Sequence, residues 1–384
     1  MTAMTETLMP FRITATDEQL ADLKRRLAAT RWPDKEPCDD WSQGTPLAYT
    51  QELCRYWADA YDWRARAARL NRFAQFTTHI DGVDIHFMHV RSKHENALPL
   101  VMSHGWPGSV AEFHKVIEPL TDPTAHGGQA GDAFHLVCPS LPGYGFSGKP
   151  TVAGWNIERI ARAWAVLMPR LGYQRYVAQG GDWGSMVTTA IGLQDSAHCR
   201  GIHLTMPIVV PDLAAMGELT ASEKSALAGL KKYRSDGSSY ARQQGTRPQT
   251  LGYGLADSPA GQAAWIVEKY QAWMDCDGHP ENLLTRDELL DQVMLYWLPN
   301  SATSSARLYW ESFAKVNRDV VEIPTGISIF PKEIFRSSRR WAAQRFKNIV
   351  HFNELDKGGH FAALERPDVL VDEIRTCFRP LRSH

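Results

Sequence analysis

A glycine-rich segment, GGDWG at residues 180–184, places an acidic residue where a strand-like run, YVAQ, meets a helical stretch. That context is typical of a nucleophile elbow, G-x-Nu-x-G, whose strained strand-to-helix turn exposes the side chain at the Nu position. Gly180 and Gly184 suit such a turn, because it brings neighbouring backbone so close that a Cβ would clash. The elbow makes Asp182 a candidate nucleophile. The alternative is an ordinary glycine-rich turn in which Asp182 caps the following helix.

A carboxylate at the nucleophile position narrows the chemistry. A serine must lose its proton before it attacks a carbonyl carbon, whereas an ionised Asp182 can displace a leaving group from saturated carbon. The product is an alkyl-enzyme ester, whose hydrolysis needs an activated water and an oxyanion hole. Backbone N–H groups form that hole, one after the nucleophile, from Trp183, and one from the loop after the third strand. The segment HGWPG is that loop, and its donor is Trp106.

The water needs a general base, and the segment KGGHFAALERP offers His360 in a glycine-flanked loop after the last strand-like run. The chain order nucleophile, acid, histidine is the one found in enzymes built on this elbow. The acid should lie at the carboxyl end of a strand, as Glu333 does in IFPKE after the run TGISIF. Glu322 precedes that strand and so falls at the wrong end. Asp356 is the competing choice, although it lies on the His360 loop itself.

The segments that carry these residues alternate between short apolar runs and helical stretches. Six strand-like runs come first, and helical stretches at about 108–120, 156–171 and 184–196 separate the later ones. This alternation indicates βαβ units and a mainly parallel sheet. A long helical stretch at about 213–320, rich in Trp and Tyr, follows, and the runs TGISIF and NIVHFNEL then resume the sheet. The simplest interpretation is a sheet interrupted by a helical insertion.

Two amphipathic helices are predicted before the sheet. The first covers 16–30, with Thr16 as a plausible N-cap and leucines recurring on one face, and the second covers about 47–60. The segment 31–46 between them carries three prolines and no hydrophobic period, which predicts a loop.

Composition and charge exclude several classes of protein. The chain has 384 residues with a formal net charge of −1 and no conspicuous basic run, so we expect no nucleic-acid partner. It has no stretch of 18 apolar residues and no secretory signal at its amino terminus, so we expect a cytoplasmic protein. Six scattered cysteines without a CxxC pair argue against a zinc site. No HExxH, GxGxxG or P-loop pattern occurs, so we expect neither a metal nor a nucleotide cofactor.

Five motifs in the same order resemble those of the α/β-hydrolase epoxide hydrolases, in the branch of the microsomal and juvenile-hormone enzymes. They are HGWPGS, PSLPGYGFS, GGDWGS, IFPKE and KGGHFAALERP. The amino-terminal stretch from PFRITATDEQ to DIHFMHV resembles that branch's N-terminal region, so the likeness covers nearly the whole chain. It implies an α/β-hydrolase fold with a mostly parallel eight-stranded sheet, a helical lid and an N-terminal helical extension. The implied parts are the N-terminal region 1–75, the core segments 76–207 and 323–384, and the lid 208–322.

The resemblance also assigns proton donors. Opening an epoxide leaves an alkoxide, so a positioned general acid is valuable, and a tyrosine phenol stays protonated at neutral pH. Tyr240 and Tyr309 match the family's lid tyrosines, and Tyr296 is the near competitor. The implied activity is conversion of a bulky hydrophobic epoxide and water to a vicinal diol. Asp182 would attack and His360, oriented by Glu333, would activate the water.

Two other functions fit the same motifs less well. A haloalkane dehalogenase also uses an Asp nucleophile followed by Trp, but its reaction needs halide stabilisation and no proton donor. A non-catalytic ligand binder with this fold would not need the complete set of nucleophile, acid and histidine. The membrane-anchoring helix of the microsomal enzymes has no counterpart in the sequence, so we expect a soluble protein without a membrane anchor. We also expect it to form a homodimer.

Overall fold

One mixed sheet of nine strands organises the part of the chain that the computed structural model describes, residues 7–210, 217–315 and 317–382. Its spatial order is β1-β2-β3-β5-β4-β6-β7-β8-β9. The strands are β1 Met9–Phe11, β2 Gln75–Ile80, β3 Val83–Val90, β4 Leu98–Ser103, β5 Phe134–Pro139, β6 Tyr176–Gly180, β7 Cys199–Leu204, β8 Thr325–Ile329 and β9 Ile349–Glu354.

The pairing explains why a mainly parallel sheet could be predicted, but not its strand count. Strands β1, β2, β3 and β5 pair antiparallel in that order, and every pair from β5 through β4 to β9 is parallel. The expected number of eight strands was wrong, because β1 adds a ninth at the edge, where Met9 lies opposite Thr77. Three residues are too few to show the period of two that identifies a strand.

Helices cover both the sheet and the site. They are α1 Asp17–Ala28, α2 Leu47–Asp59, α3 Trp63–Leu70, α4 Ile117–Thr121, α5 Ile157–Arg170, α6 Trp183–Gln194, α7 Ala221–Lys232, α8 Ser239–Thr246, α9 Pro248–Asp257, α10 Pro259–Trp273, α11 Arg286–Trp297, α12 Ala302–Ser312, α13 Arg339–Arg345, α14 Ala362–Glu365 and α15 Pro367–Phe378. Within the described ranges, none of these helices has the length and apolarity that a membrane span requires.

The N-terminal helices form where the sequence predicts them, with one addition. Thr16 caps α1 in a capping box with Gln19, and the predicted leucine face is buried at Leu23 and Leu27. Helix α3 was not predicted, because its eight residues, WRARAARL, are too polar and too short for a clear period. Its Arg66 forms an ion pair with Asp291 of α11, and this pair joins the N-terminal region to the helical insertion.

The predicted helical insertion lies between β7 and β8, and α7 to α12 form it. The described residues 217–315 of this insertion contain no strand. The predicted start of the insertion, at residue 213, lies outside the described residues. The division of the chain into four parts stays a prediction.

The sheet brings the candidate residues to one edge. Strands β6 and β8 are buried along their whole length, as expected for parallel strands covered on both faces. The loops that follow the carboxyl ends of β4, β6, β8 and β9 carry Trp106, Asp182, Glu333 and His360 in turn. Carboxyl ends of parallel strands share one edge of a sheet, which is where open α/β sheets bind ligands.

Candidate active site

The turn between β6 and α6 has the strained geometry of a nucleophile elbow. Asp182 has φ +50° and ψ −129°, a left-handed conformation that a non-glycine residue rarely adopts. Although Asp182 precedes the first residue of α6, its side chain makes no capping hydrogen bond. The carboxylate accepts instead from the Trp106 backbone N–H at Oδ1, over 2.9 Å. The geometry therefore favours the elbow over the simple helix-cap alternative.

Glycines let the backbone close around this carboxylate. A Cβ on Gly184 would stand 1.8 Å from the Ser103 carbonyl oxygen, and a Cβ on Gly180 would stand 2.1 Å from the Gly184 carbonyl oxygen. On the facing loop, a Cβ on Gly105 would stand 2.1 Å from Asp182 Oδ1. Real Cβ atoms do not come this close to backbone, so the elbow and the facing loop fit together only with glycine at these positions.

The two predicted oxyanion donors flank the carboxylate. The Trp106 N–H already contacts Asp182 Oδ1. Trp183 is the first residue of α6, where a backbone N–H has no partner within the helix and points toward incoming negative charge. An ester at Asp182 would keep Oδ1 as its carbonyl oxygen, beside the Trp106 N–H.

His360 bridges the other oxygen of the carboxylate to Glu333. Its Nε2 lies 3.3 Å from Asp182 Oδ2, and its Nδ1 lies 2.7 Å from Glu333 Oε1. The Ile334 backbone N–H also donates to Glu333 Oε1, over 2.7 Å, which fixes the orientation of this carboxylate. The structure thus brings Glu333, rather than the competing Asp356, against the imidazole.

Electrostatics favour a protonated His360 in the resting site. Burial by itself would lower the pKa of His360, but the Glu333 and Asp182 carboxylates outweigh it and raise the pKa well above its usual value. Esterification would remove the negative charge of Asp182. The pKa of His360 would then fall, because one of its two anionic partners is neutralised, and the imidazole could act as a base.

Contacts with the helical insertion hold the His360 loop in place. The His360 N–H donates to the Trp273 carbonyl over 3.0 Å, and the Gly358 N–H donates to Asp275 Oδ2 over 3.0 Å. Glu365 accepts the Asp275 N–H at Oε2 over 2.8 Å, and burial raises the pKa of Glu365 to about 7. These positioning contacts were not predicted, because they join segments about ninety residues apart that share no motif.

The predicted tyrosines Tyr240 and Tyr309 form an aromatic cage over Asp182. The Tyr240 ring stacks on Trp106, with centroids 5.0 Å apart, and the Tyr309 ring meets Trp183 edge to face at 4.8 Å. The two tyrosine rings lie 5.8 Å apart and are both buried. Burial, together with the Asp182 charge, raises the pKa of each phenol well above its usual value. Both phenols therefore keep their protons at neutral pH.

The competing tyrosine, Tyr296, has a different environment. Its hydroxyl donates to the Gly108 carbonyl over 2.7 Å, so its proton is already engaged by the backbone. A tyrosine that the sequence analysis did not identify, Tyr233, lies closer to the cage. Its hydroxyl is 3.2 Å from that of Tyr240, within hydrogen-bond distance. Tyr233 begins a π-helical segment, Tyr233–Gly237, that continues from α7, and no sequence motif marks it.

This arrangement combines a strained carboxylate, the Trp106 N–H at one of its oxygens, a histidine–glutamate pair at the other and two protonated phenols. It can attack carbon, stabilise an oxyanion, activate water and donate a proton. The structure brings together all seven predicted site residues: Asp182, His360, Glu333, Tyr240, Tyr309, Trp106 and Trp183. Their catalytic roles stay predictions.

Comparison with family models matches two parts of the chain. Residues 8–113 match the epoxide hydrolase N terminus, and residues 99–244 match the alpha/beta hydrolase fold. The α/β-hydrolase fold implied by the sequence motifs is therefore confirmed.

Individual relatives are similar along nearly the full length. A protein of Stigmatella aurantiaca named as a candidate epoxide hydrolase is 55% identical over 98% of this chain and 86% of its own. Epoxide hydrolase 1 of Sus scrofa is 35% identical over 96% of this chain and 88% of its own. The crystal structure of juvenile hormone epoxide hydrolase from Bombyx mori superposes with a TM-score of 0.90, at 30% identity, over 98% of this chain and 96% of that one.

Proposed function

The chain belongs to the epoxide hydrolases, in the branch that includes the juvenile-hormone enzymes, and from this membership we propose that it converts a hydrophobic epoxide to a vicinal diol through an ester on Asp182. The buried tyrosine pair above that carboxylate is the observation that carries the proposal. It supplies the proton that epoxide opening needs. Location in the cytoplasm and assembly as a homodimer stay predictions of the sequence.

The first half-reaction forms the ester. Asp182 Oδ2 attacks one oxirane carbon, and the C–O bond of the epoxide breaks. Tyr240 and Tyr309 share the negative charge that develops on the epoxide oxygen, and one of them delivers the proton. The Trp106 N–H holds Oδ1 in place, which aims the second oxygen at the substrate.

The second half-reaction hydrolyses the ester. Loss of the Asp182 charge favours neutral His360, and the proton that His360 releases balances the one that the tyrosine gave to the epoxide oxygen. Neutral His360 then removes a proton from water as the water oxygen attacks Asp182 Cγ. Trp106 and Trp183 stabilise the tetrahedral oxyanion through their N–H groups. Glu333 stabilises the imidazolium and fixes its tautomer through the 2.7 Å contact at Nδ1. The intermediate collapses to release the diol, whose oxygen takes back the proton.

The walls of the site favour an apolar substrate. Trp273 lies 5.3 Å from Tyr240, and Phe313 lies 6.0 Å from Tyr309, both measured between ring centroids. Together with the indoles of Trp106 and Trp183, these rings make the walls largely aromatic, and the buried Lys269 ammonium lies 4.6 Å from the centre of the Tyr240 ring. A bulky hydrophobic epoxide fits such walls, because desolvation of its apolar part contributes to binding.

The tyrosine pair also separates this activity from dehalogenation. We expect Tyr240→Phe and Tyr309→Phe each to slow epoxide opening, and the double variant to lose roughly 10²-fold or more, the usual contribution of general acid catalysis. The measurement is diol formation from aryl and alkyl epoxides, with halide release from haloalkanes measured in parallel. The wild-type protein should form diol and release no halide.

The control for this prediction is Tyr253→Phe, because Tyr253 is a lid tyrosine with 71% of its surface exposed. This variant should retain full activity. General acid catalysis usually contributes roughly 10²-fold or more. A double variant that kept more than about a tenth of wild-type diol formation would therefore contradict the assignment of the donors.

A further inference from the structure

A small cavity of about 30 Å³ lies against the core side of the reacting carboxylate. Its walls include Asp182 and His360, and the rest of its lining comes from core segments within 103–113, 179–205 and 361–370. Neither Tyr240 nor Tyr309 lines it, although Trp106, on which the Tyr240 ring stacks, does. A water molecule occupies about 30 Å³ in the liquid, so the volume suits about one or two waters and is too small for a bulky hydrophobic epoxide.

Two of the polar side chains that line this cavity, Gln179 and Glu112, have no role in the proposed mechanism. Gln179 is 2% exposed, and its Oε1 atom has no hydrogen-bond partner within the described ranges. A buried acceptor of this kind is normally satisfied, and water is the donor that a cavity of this size can hold. Glu112 is the second, and both side chains share the cavity with His360.

The position of Glu112 depends on the glycine before it. Ser109 begins a short 3-10 helix, Val110–Lys115, and its hydroxyl accepts the Ala111 N–H over 3.2 Å. A Cβ on Gly108 would stand 1.1 Å from Glu112 Oε1, so only glycine leaves room for the carboxyl group here. The S-x-x-E spacing gives Glu112 the place of the glutamate in a capping box, and a hydrogen bond from the Ser109 backbone to its carboxyl group fits this ordinary structural role.

The charges of the reacting residues act on this carboxyl group. Burial raises the pKa of Glu112 to about 8, the His360 cation opposes that rise, and the Asp182 carboxylate adds to it. Esterification removes the Asp182 charge and with it one cause of the raised pKa. The same step favours neutral His360, which no longer lowers the pKa of Glu112, so the Glu112 carboxyl group stays mostly protonated at neutral pH while the ester waits for water.

Building on the proposed ester mechanism, we propose that Glu112 and Gln179 hold the hydrolytic water in this cavity and aim its oxygen at Asp182 Cγ. The water donates one hydrogen bond to either side chain, and its other proton passes to His360 Nε2 as the new C–O bond forms. Collapse breaks the bond between Cγ and the diol oxygen, which takes that proton. The acid left on Asp182 then returns its proton to His360, which restores the resting charges.

This arrangement assigns the two reactants to different sides of one carboxylate. The epoxide approaches from the lid and meets the tyrosines, and the water waits on the core side beside His360. The imidazolium that forms during hydrolysis lies in the same cavity and lowers the pKa of Glu112, so ionisation of Glu112 at that point stabilises the imidazolium in addition to orienting the water. A residue with this role affects the second half-reaction and leaves the first unchanged.

The test is Glu112→Gln, because glutamine preserves a capping box but carries no charge. Enzyme in excess is mixed with styrene oxide, the reaction is stopped at successive times, and intact-protein mass spectrometry follows the ester. We expect ester formation at the wild-type rate and ester decay slowed by about tenfold or more, as for loss of one hydrogen bond to a charged group. Gln179→Met should slow decay in the same direction.

The control is Glu118→Gln, a half-exposed glutamate in α4, which should leave both steps unchanged. Ester decay at the wild-type rate in Glu112→Gln would overturn the water-holding role while leaving the ester mechanism intact. Equal slowing of both steps would overturn it too, because it would indicate a structural role alone. Absence of any ester in the wild-type protein would instead contradict the proposed function.

Discussion

His360→Gln is expected to react once with an epoxide and to hold it as a covalent adduct. The first half-reaction needs Asp182 and the tyrosine pair, and none of these is changed. Hydrolysis needs a base at the position 3.3 Å from Asp182 Oδ2, and glutamine cannot accept the proton. Loss of a general base costs roughly 10²- to 10⁴-fold, so steady-state diol formation should nearly stop. Intact-protein mass spectrometry should show a gain equal to the mass of one epoxide.

A matched control is His198→Gln. His198 also pairs with a carboxylate, Asp195, at 2.6 Å, but it lies beyond the carboxyl end of α6 and away from the site. This variant should turn over normally and accumulate no adduct. If His360→Gln formed no adduct and still produced diol, another residue would have to activate the water.

The second large effect is expected at Glu333. Its Oε1 atom contacts His360 Nδ1. Its Oε2 atom is buried and has no hydrogen-bond partner in the described chain, so the imidazole is the side chain that contacts the negatively charged carboxylate of Glu333. Glu333→Gln removes that charge and permits the wrong tautomer, which costs up to about 10⁴-fold in comparable triads. Asp356→Asn should lose little, although Asp356 is closer to His360 in sequence. The measurement is diol formation by both variants under the same conditions.

Thermal unfolding of the two variants separates catalysis from folding. Glu333 is buried, so its variant should be checked for a folded state before its activity is compared. A folded Glu333→Gln with near-normal activity, together with an inactive Asp356→Asn, would refute the choice of acid.

The nucleophile could be predicted from the sequence because its signal is local. The elbow needs glycines at fixed offsets from Asp182, and the structure shows why, since a Cβ on Gly184 would meet the Ser103 carbonyl oxygen. Glu333 could be placed because it follows the carboxyl end of a strand, which topology brings to the site. Tyr240 and Tyr309 were identified by resemblance alone. Aromatic residues recur throughout the helical insertion for packing, so their sequence pattern does not distinguish a proton donor.

Other features had no local signal. The edge strand β1 and helix α3 are too short for periodicity to identify, and β1 forms because β2 offers it a free edge. The cavity beside Asp182 is built from segments far apart in sequence, so no single motif could identify Glu112 and Gln179 as part of its lining. The capping-box spacing of Glu112 predicts only a helix start, and its second role depends on what the fold places beside it.

The central claim is that Asp182 forms a covalent ester, and oxygen labelling in a single turnover tests it most directly. Enzyme in excess over epoxide is allowed to react in ¹⁸O water. Water attacks the ester carbonyl in this mechanism, so the first diol should carry unlabelled oxygen from the Asp182 carboxylate, and the peptide that contains Asp182 should gain ¹⁸O. Labelled diol from the first turnover with an unlabelled peptide would show direct attack by water and would contradict the ester mechanism.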